Sequence, residues 1–343
     1  MLKIKSYPDH IRLDRNESYS FLNEKILSEI KDFNSDALSL YPDLNEIKDL
    51  LAKHIGSKTE NVLPTHGSEQ AIRLTVQSLF KKGDEVIMAA PIFIAFTLAL
   101  KHIGVIPKIL LYKERKGSFF PPTTQIVNLI NKNTKGVVLC NPSNPLGCSI
   151  SRRDILKILK KTASFKVPVI VDEVYSEFSG TSFLDLTKKY DNLIILKSFS
   201  KEFGLAGLRL GYIVANEEII EKLDDEREMF WPISNFSIHT LRVLLKHKPY
   251  FKKQIAGVVQ RKKKLISFLK QRSVKCYDTD TNFVIIKSKN HKDIIQEFEA
   301  EKILVSDIST HIDSGNLLHD AFRISIPSEK DFKQVIIILK RLF

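Results

Sequence analysis

Cysteine is scarce in this chain: three residues in 343, Cys140, Cys148 and Cys276. They form no even set and no metal-type spacing, which argues against a disulfide framework or a cysteine-rich metal site and fits a reducing compartment. Long apolar runs are missing too. The longest, Val86 to Leu100, carries Pro91 and falls short of the ~20 residues a bilayer-spanning helix needs. The opening Met-Leu-Lys-Ile-Lys-Ser-Tyr-Pro-Asp-His holds no secretory apolar segment. A cytoplasmic protein with no membrane partner is expected. Acidic residues are outnumbered, 40 against 53 lysines and arginines, for a formal net charge of +13. The basic clusters, Lys246 to Lys253 and Arg261 to Lys264, sit in sequence of amphipathic helical character. No recognition motif or aromatic-interleaved stripe accompanies them, so they read as solvated helix faces and no nucleic-acid partner is expected. Attraction for phosphorylated or acidic small molecules stays open.

The remaining composition, 43% hydrophobic and 27% charged, is that of a globular chain of about two domains. Short apolar runs alternate with helical patterns. Strands are expected at Glu85 to Ala90, near Val105 to Leu111, at Lys135 to Cys140, Val167 to Asp172 and Asn192 to Leu196. Asp43 is placed to cap a helix through His54, and a turn containing Gly67 opens another. Downstream, Ser237 to Arg272 reads as one long basic helix. Shorter strands follow at Phe283 to Lys287, Ile303 to Val305 and Phe322 to Ile326, with helices at Lys292 to Glu301 and Glu329 to Leu342. The pattern predicts an α/β fold: a large domain with a mostly parallel, helix-covered sheet, plus a smaller α+β domain. Residues 1–40 form an arm and part of the small domain, 41–237 the large domain, and 238–343 the small one.

In such sheets ligands collect beyond the carboxyl ends of the strands. Asn144, Asp172, Ser198 and Lys201 each follow a strand end. A lysine flanked by Ser198 and Ser200, with Arg209 beyond, can form a Schiff base with an aldehyde cofactor while its neighbours grip a phosphate. A pyridine aldehyde also needs a carboxylate at its ring nitrogen, which Asp172 supplies, and donors to its phenolic oxygen, which Asn144 and Tyr175 supply. Gly67 and Ser68, at a helix start, join the phosphate cradle, and Phe93 can stack on the ring. Each residue singly has a plain alternative: Asp172 as a cap, Tyr175 and Phe93 as core, Asn141-Pro-Ser-Asn-Pro145 as a turn. Jointly, in this order and on strand ends, they form one constellation. No metal site is expected.

The whole set resembles a fold-type I, pyridoxal-phosphate-dependent aminotransferase, and within that group the histidinol-phosphate aminotransferases. The resemblance runs through Asn16-Glu17, Tyr41-Pro-Asp43, Gly67-Ser68-Glu69, Asn141-Pro-Ser-Asn-Pro-Leu-Gly147, Asp172-Glu-Val-Tyr175, Ser198-Phe-Ser-Lys201, Gly207-Leu-Arg209-Leu-Gly211 and Phe322-Arg-Ile-Ser325. It implies pyridoxal 5'-phosphate as cofactor, an amino acid donor with a 2-oxo acid acceptor, and a ping-pong transfer. Lys201 would be the Schiff-base lysine and proton shuttle. Asp172 would pair the ring nitrogen, and Asn144 and Tyr175 would hold the phenolic oxygen. Ser198, Ser200, Arg209 and the Gly67-Ser68-Glu69 turn would hold the phosphate. The resemblance also implies a homodimer in which Tyr41 reaches the partner subunit's phosphate. Arg323, Asn16 and Tyr19 would bind substrate, Arg323 as a clamp on the α-carboxylate.

Two departures bear on substrate. The ring-stacking position, usually tyrosine in the family, is Phe93. Ser306 aligns where the family usually has an arginine for the substrate phosphate, leaving Arg12, Arg15 or a surface lysine to compensate. The same motifs occur in threonine-phosphate decarboxylases. A basic protein without catalysis is the reading from another class.

Overall fold

One seven-stranded sheet carries the larger part of the molecule. In spatial order its strands are Val62–Thr65, Gly211–Val214, Leu193–Ser198, Val169–Asp172, Thr134–Cys140, Glu85–Ala90 and Ile106–Leu111. All run parallel except Gly211–Val214, which is antiparallel to both neighbours. The structure, a computed structural model, describes residues 10–18 and 21–343.

The strands are β-branched and continuously apolar because helices cover both faces. Alternate residues along each strand serve different cores. Val169, Val171, Leu193 and Ile195 pack on one side; Ile170, Ile194, Leu196 and Cys140 pack on the other. This two-residue period decides which side chains reach the site. Asp172 shares a face with Ile170, whereas Glu173 and Lys197 have the opposite parity and lie buried on the far side.

A second, antiparallel sheet orders Lys275–Tyr277, Phe283–Lys287, Ala321–Ser325 and Ser306–Asp307. The N-terminal arm is tied to this region. Ile11–Arg12 pairs in parallel with Ile303–Leu304, and Ser325 N donates to Leu13 O at 3.0 Å. Most expected elements are present within a residue or two, including the helix Leu44–Ile55 with Asp43 accepting from Asn45 N.

One reading is corrected. Ser237 to Arg272 is two helices, Asn235–Lys246 and Lys248–Gln271, meeting at His247. Pro249 lies in the first turn of the second, where its missing N–H costs nothing, so the amphipathic pattern continues across the break. The strand Gly211–Val214, the hairpin Lys113–Arg115/Ser118–Phe120 and the helix Thr123–Leu129 were not expected from the sequence. No helix among the described residues is long and apolar enough to cross a membrane.

Candidate active site

At the carboxyl edge of the large sheet a cavity of about 310 Å³ opens, bounded on one side by the arm and Arg323. Asp172 is the last residue of its strand, and Ser198 the last of the next. Lys201 stands in the short helix Phe199–Glu202 that Ser198 caps through its Oγ, accepting from Ser200 N at 3.1 Å. The sheet edge thus delivers an acid, two hydroxyls and an amine to one wall.

Asp172 is almost wholly buried. Its Oδ1 accepts from Val174 N at 3.1 Å, while Oδ2 faces the Cys140 thiol at 3.9 Å, a weak donor. Desolvation pushes its carboxyl up to about 7. Lys201 shifts the opposite way, down to about 8, through desolvation and then the nearby Arg323 charge. Its Nζ donates to Arg15 O at 2.9 Å. Near neutral pH an appreciable fraction of Lys201 is the free amine, the form that can act as nucleophile or base.

The hydrogen-bond directions leave donors pointing at a common space. Asn144 Oδ1 accepts from Arg323 Nη1 at 2.9 Å, which leaves the Asn144 amide free to donate. Tyr175 Oη accepts from Asn16 Nδ2 at 2.8 Å, so its own hydroxyl proton is available. Burial pushes Tyr175 up to about 12, so it stays a donor across the working range. Ser198 Oγ donates to Ser200 Oγ at 3.0 Å, freeing the Ser200 proton.

Adjoining this wall is an anion cradle, with Gly211 the register partner of Ser198. Gly67 opens the helix Gly67–Leu79 with φ of +74°, and a Cβ there would meet Arg209 Nη2 at 2.7 Å. A Cβ on Gly211 would meet the backbone of Gly67 at 2.6 Å and Ser68 N at 2.8 Å. Both glycines let the Arg209 guanidinium and the helix amides converge on one spot.

Ser68, Glu69, Phe93, Asn144, Asp172, Tyr175, Ser198, Ser200, Lys201, Arg209, Arg323 and Asn16 all line this cavity. Gly67 lies directly behind Arg209. Tyr41 is not on it: the ring is 77% exposed and stacks on Trp231, centroids 4.2 Å apart. Tyr19 lies outside the described residues. The structure adds Asp14, Val174 and Ala206 to the lining, and Arg15, which the sequence offers only as a substitute for the arginine missing at Ser306. Val174 had a signal, between Asp172 and Tyr175; Asp14 and Ala206 had none.

Comparison with known proteins identifies the family. The chain matches the family of class I and II aminotransferases over residues 8–341. It is 33% identical to a histidinol-phosphate aminotransferase of Thermoanaerobacter sp. (strain X514), over 95% of this chain and 91% of that one. The figures for the histidinol-phosphate aminotransferase of Pyrococcus furiosus are 32%, 88% and 86%. Among solved structures, the histidinol-phosphate aminotransferase from Clostridium acetobutylicum superposes with a TM-score of 0.84 at 22% identity, covering 97% of this chain and 98% of its own. The L-threonine-O-3-phosphate decarboxylase from Porphyromonas gingivalis does so at 0.80 and 20%, covering 97% and 99%. These structural likenesses establish the fold, while the family match and the curated relatives establish the lineage. The chain belongs to the class I and II aminotransferases and is a pyridoxal-phosphate-dependent transaminase of the histidinol-phosphate aminotransferase type.

Proposed function

We propose that Lys201, Asp172 and Arg209 hold pyridoxal 5'-phosphate in this cavity and that the enzyme moves an amino group between histidinol phosphate, or an amino acid, and a 2-oxo acid. The observation that carries the proposal is a desolvated carboxyl and a desolvated amine delivered by one sheet edge to a cavity that an arginine and glycine cradle also borders. The residues fit the cofactor's chemistry group by group. Asp172 Oδ2, with only a thiol near it, suits a cationic ring N–H. The free donors on Asn144 and Tyr175 suit a phenolic oxygen. Ser200, Arg209 and the amides after Gly67 suit a phosphate, and Phe93 offers a ring face.

When bound, the cofactor supplies an aldehyde carbon and an electron-withdrawing ring. The protein supplies the rest. Asp172, drawn below its free-site value by a cation at the ring nitrogen, keeps that nitrogen protonated. Lys201 Nζ, once freed from Arg15 O, is the base that would take the proton from the substrate α-carbon and hold it for return. Arg323, anchored by Asn144 Oδ1 and by Asp14 O at 3.0 Å, has an unpartnered buried Nε and clamps a carboxylate or phosphate. Asn16 orients Tyr175 and so acts on the ring oxygen through it. Tyr19 is assigned to substrate from the sequence alone.

A homodimer is part of the reading. Leu38, Leu40, Tyr41, Phe230 and Trp231 are exposed large apolar side chains, and the Tyr41–Trp231 stack joins the two segments that carry them. Such an exposed apolar surface supports a self-association face from which Tyr41 reaches the partner subunit's phosphate. The three cysteines are unpaired, which supports a reducing, cytoplasmic setting. The division at residue 237 is proposed because the large sheet's last strand in sequence ends at Val214 and the small sheet begins at Lys275.

The test is incubation of the cofactor-loaded protein with histidinol phosphate, a panel of amino acids and 2-oxoglutarate. Amino transfer to the oxo acid from at least one donor is expected. Carbon dioxide release from O-phosphothreonine with no amino transfer would overturn the reading.

A further inference from the structure

Among the described residues four that line the cavity carry cationic side chains: Arg15, Lys201, Arg209 and Arg323. The proposed chemistry occupies three, with Lys201 at the aldehyde, Arg209 at the cofactor phosphate and Arg323 at the substrate carboxylate. Arg15 is left over. It is held at the cavity by two fixed points of the arm. Leu13 is bonded on both sides, its N–H to Leu304 O at 2.8 Å and its carbonyl from Ser325 N at 3.0 Å. Asn16 takes φ of +54°, a left-handed conformation uncommon outside glycine. That turn is pinned by Asn16 N to Ser325 Oγ at 3.0 Å and by Asn282 Nδ2 to Asn16 O at 3.0 Å. Backbone strain of this kind persists where the surroundings over-determine it, and it gathers at binding sites.

Between those points the carbonyls of Asp14 and Arg15 accept from Arg323 and Lys201. The Arg15 side chain remains half exposed, with a loose 3.5 Å pair to Asp14 Oδ2. Arg12 differs: it is committed to Glu17 at 2.9 Å and does not line the cavity. Ser306 stands directly opposite Arg323 in the small sheet and is neutral. The cavity therefore borders one further, loosely paired cation, contributed by the arm rather than by the small sheet.

We propose that Arg15 is a specificity-determining residue that binds a second anionic group on the substrate, a carboxylate or a phosphate. Among amino and 2-oxo acids, those anchored by one carboxylate at Arg323 and carrying a second anion are selected over those with one. The inference rests on the role given above to Arg323.

The test uses three non-reactive acids of matched chain: propionate, succinate and 3-phosphonopropionate. Their binding to the cofactor-loaded enzyme is measured by titration calorimetry, with Arg15→Ala, Arg15→Lys and Arg323→Gln beside the natural protein. Arg15→Ala is expected to weaken succinate, 3-phosphonopropionate or both by tenfold or more while moving propionate less than twofold. The diacid that loses more identifies the second anion as carboxylate or phosphate. Arg15→Lys is expected to lie between the alanine variant and the natural protein, because a half-exposed contact is served in part by a point charge. Equal loss for all three acids, no loss for any, or a lysine variant no better than alanine would overturn the proposal. Arg323→Gln separates the two claims: unchanged propionate binding there removes the role of Arg323, whereas Arg15 is judged on the diacid-to-propionate ratio alone.

Discussion

Cys140 and Asp172 end neighbouring parallel strands in direct register, and the thiol lies 3.9 Å from Asp172 Oδ2. A thiol barely compensates a desolvated carboxylate, so the acid is held up near 7. The arrangement suits a carboxylate awaiting a cationic partner.

The sign of the pH dependence follows. In the cofactor-free protein Asp172 keeps its proton from its ordinary value of 3.8 up to about 7, a range in which the unfolded chain has released it. Its contribution to stability is therefore complete below about pH 4 and lost as pH rises through 7. Glu202, raised by burial to about 8, adds in the same direction. Urea midpoints of the cofactor-free protein should fall from pH 5 to pH 8, and Asp172→Asn should flatten that fall. The Asp172 share is on the order of 4 kcal/mol at most. The same variant should lower kcat/KM on the order of 100-fold, because the ring nitrogen loses its charged partner.

Gly67 and Gly211 separate binding from folding. Gly67→Ala adds a methyl 2.7 Å from Arg209 Nη2 in a left-handed conformation that costs about 1–2 kcal/mol. The guanidinium tip can swing aside, so the main expected effect is a cofactor Kd raised about tenfold, read by fluorescence titration. Gly211→Ala puts a methyl against backbone that cannot move, and about 3 kcal/mol of stability should be lost in urea unfolding.

Tyr41 and Trp231 test the dimer. Sedimentation should give a dimer for the natural protein and a monomer for Trp231→Asp, with cofactor affinity falling about tenfold as the shared site opens. Tyr41→Phe should weaken cofactor binding while the dimer persists. A natural protein that sediments as a monomer with full cofactor affinity would remove Tyr41 from the site.

Much of the site was legible because it lies on strand ends. Val169-Ile-Val171 can only be a buried strand, and a carboxylate that closes such a strand has few roles beyond chemistry or capping. The Ser198, Ser200 and Lys201 set is read the same way. What escaped depends on pairings distant in sequence. The arm reaches the cavity because Ile11–Arg12 joins Ile303–Leu304, and nothing local near Asp14 or Arg15 announces that. Gly211–Val214 was missed as a strand because its partners, Val62–Thr65 and Leu193–Ser198, lie far apart along the chain. The break at His247 was hidden by a proline placed where a helix start tolerates it.

Of the two lysines around Ser198, only Lys201 lines the cavity. Lys197 is also buried, but on the far face of the sheet, where its Nζ pairs with Glu177 at 3.2 Å; burial pulls its amine down, and the charges of Glu177, Glu202 and Glu173 outweigh that and raise it. Lys201 has the lowered value and the cavity. Borohydride reduction of the cofactor-loaded enzyme followed by peptide mass mapping should find the pyridoxyl group on Lys201 alone. Recovery of that group on Lys197, or on any other lysine with Lys201 unmodified, would contradict the account.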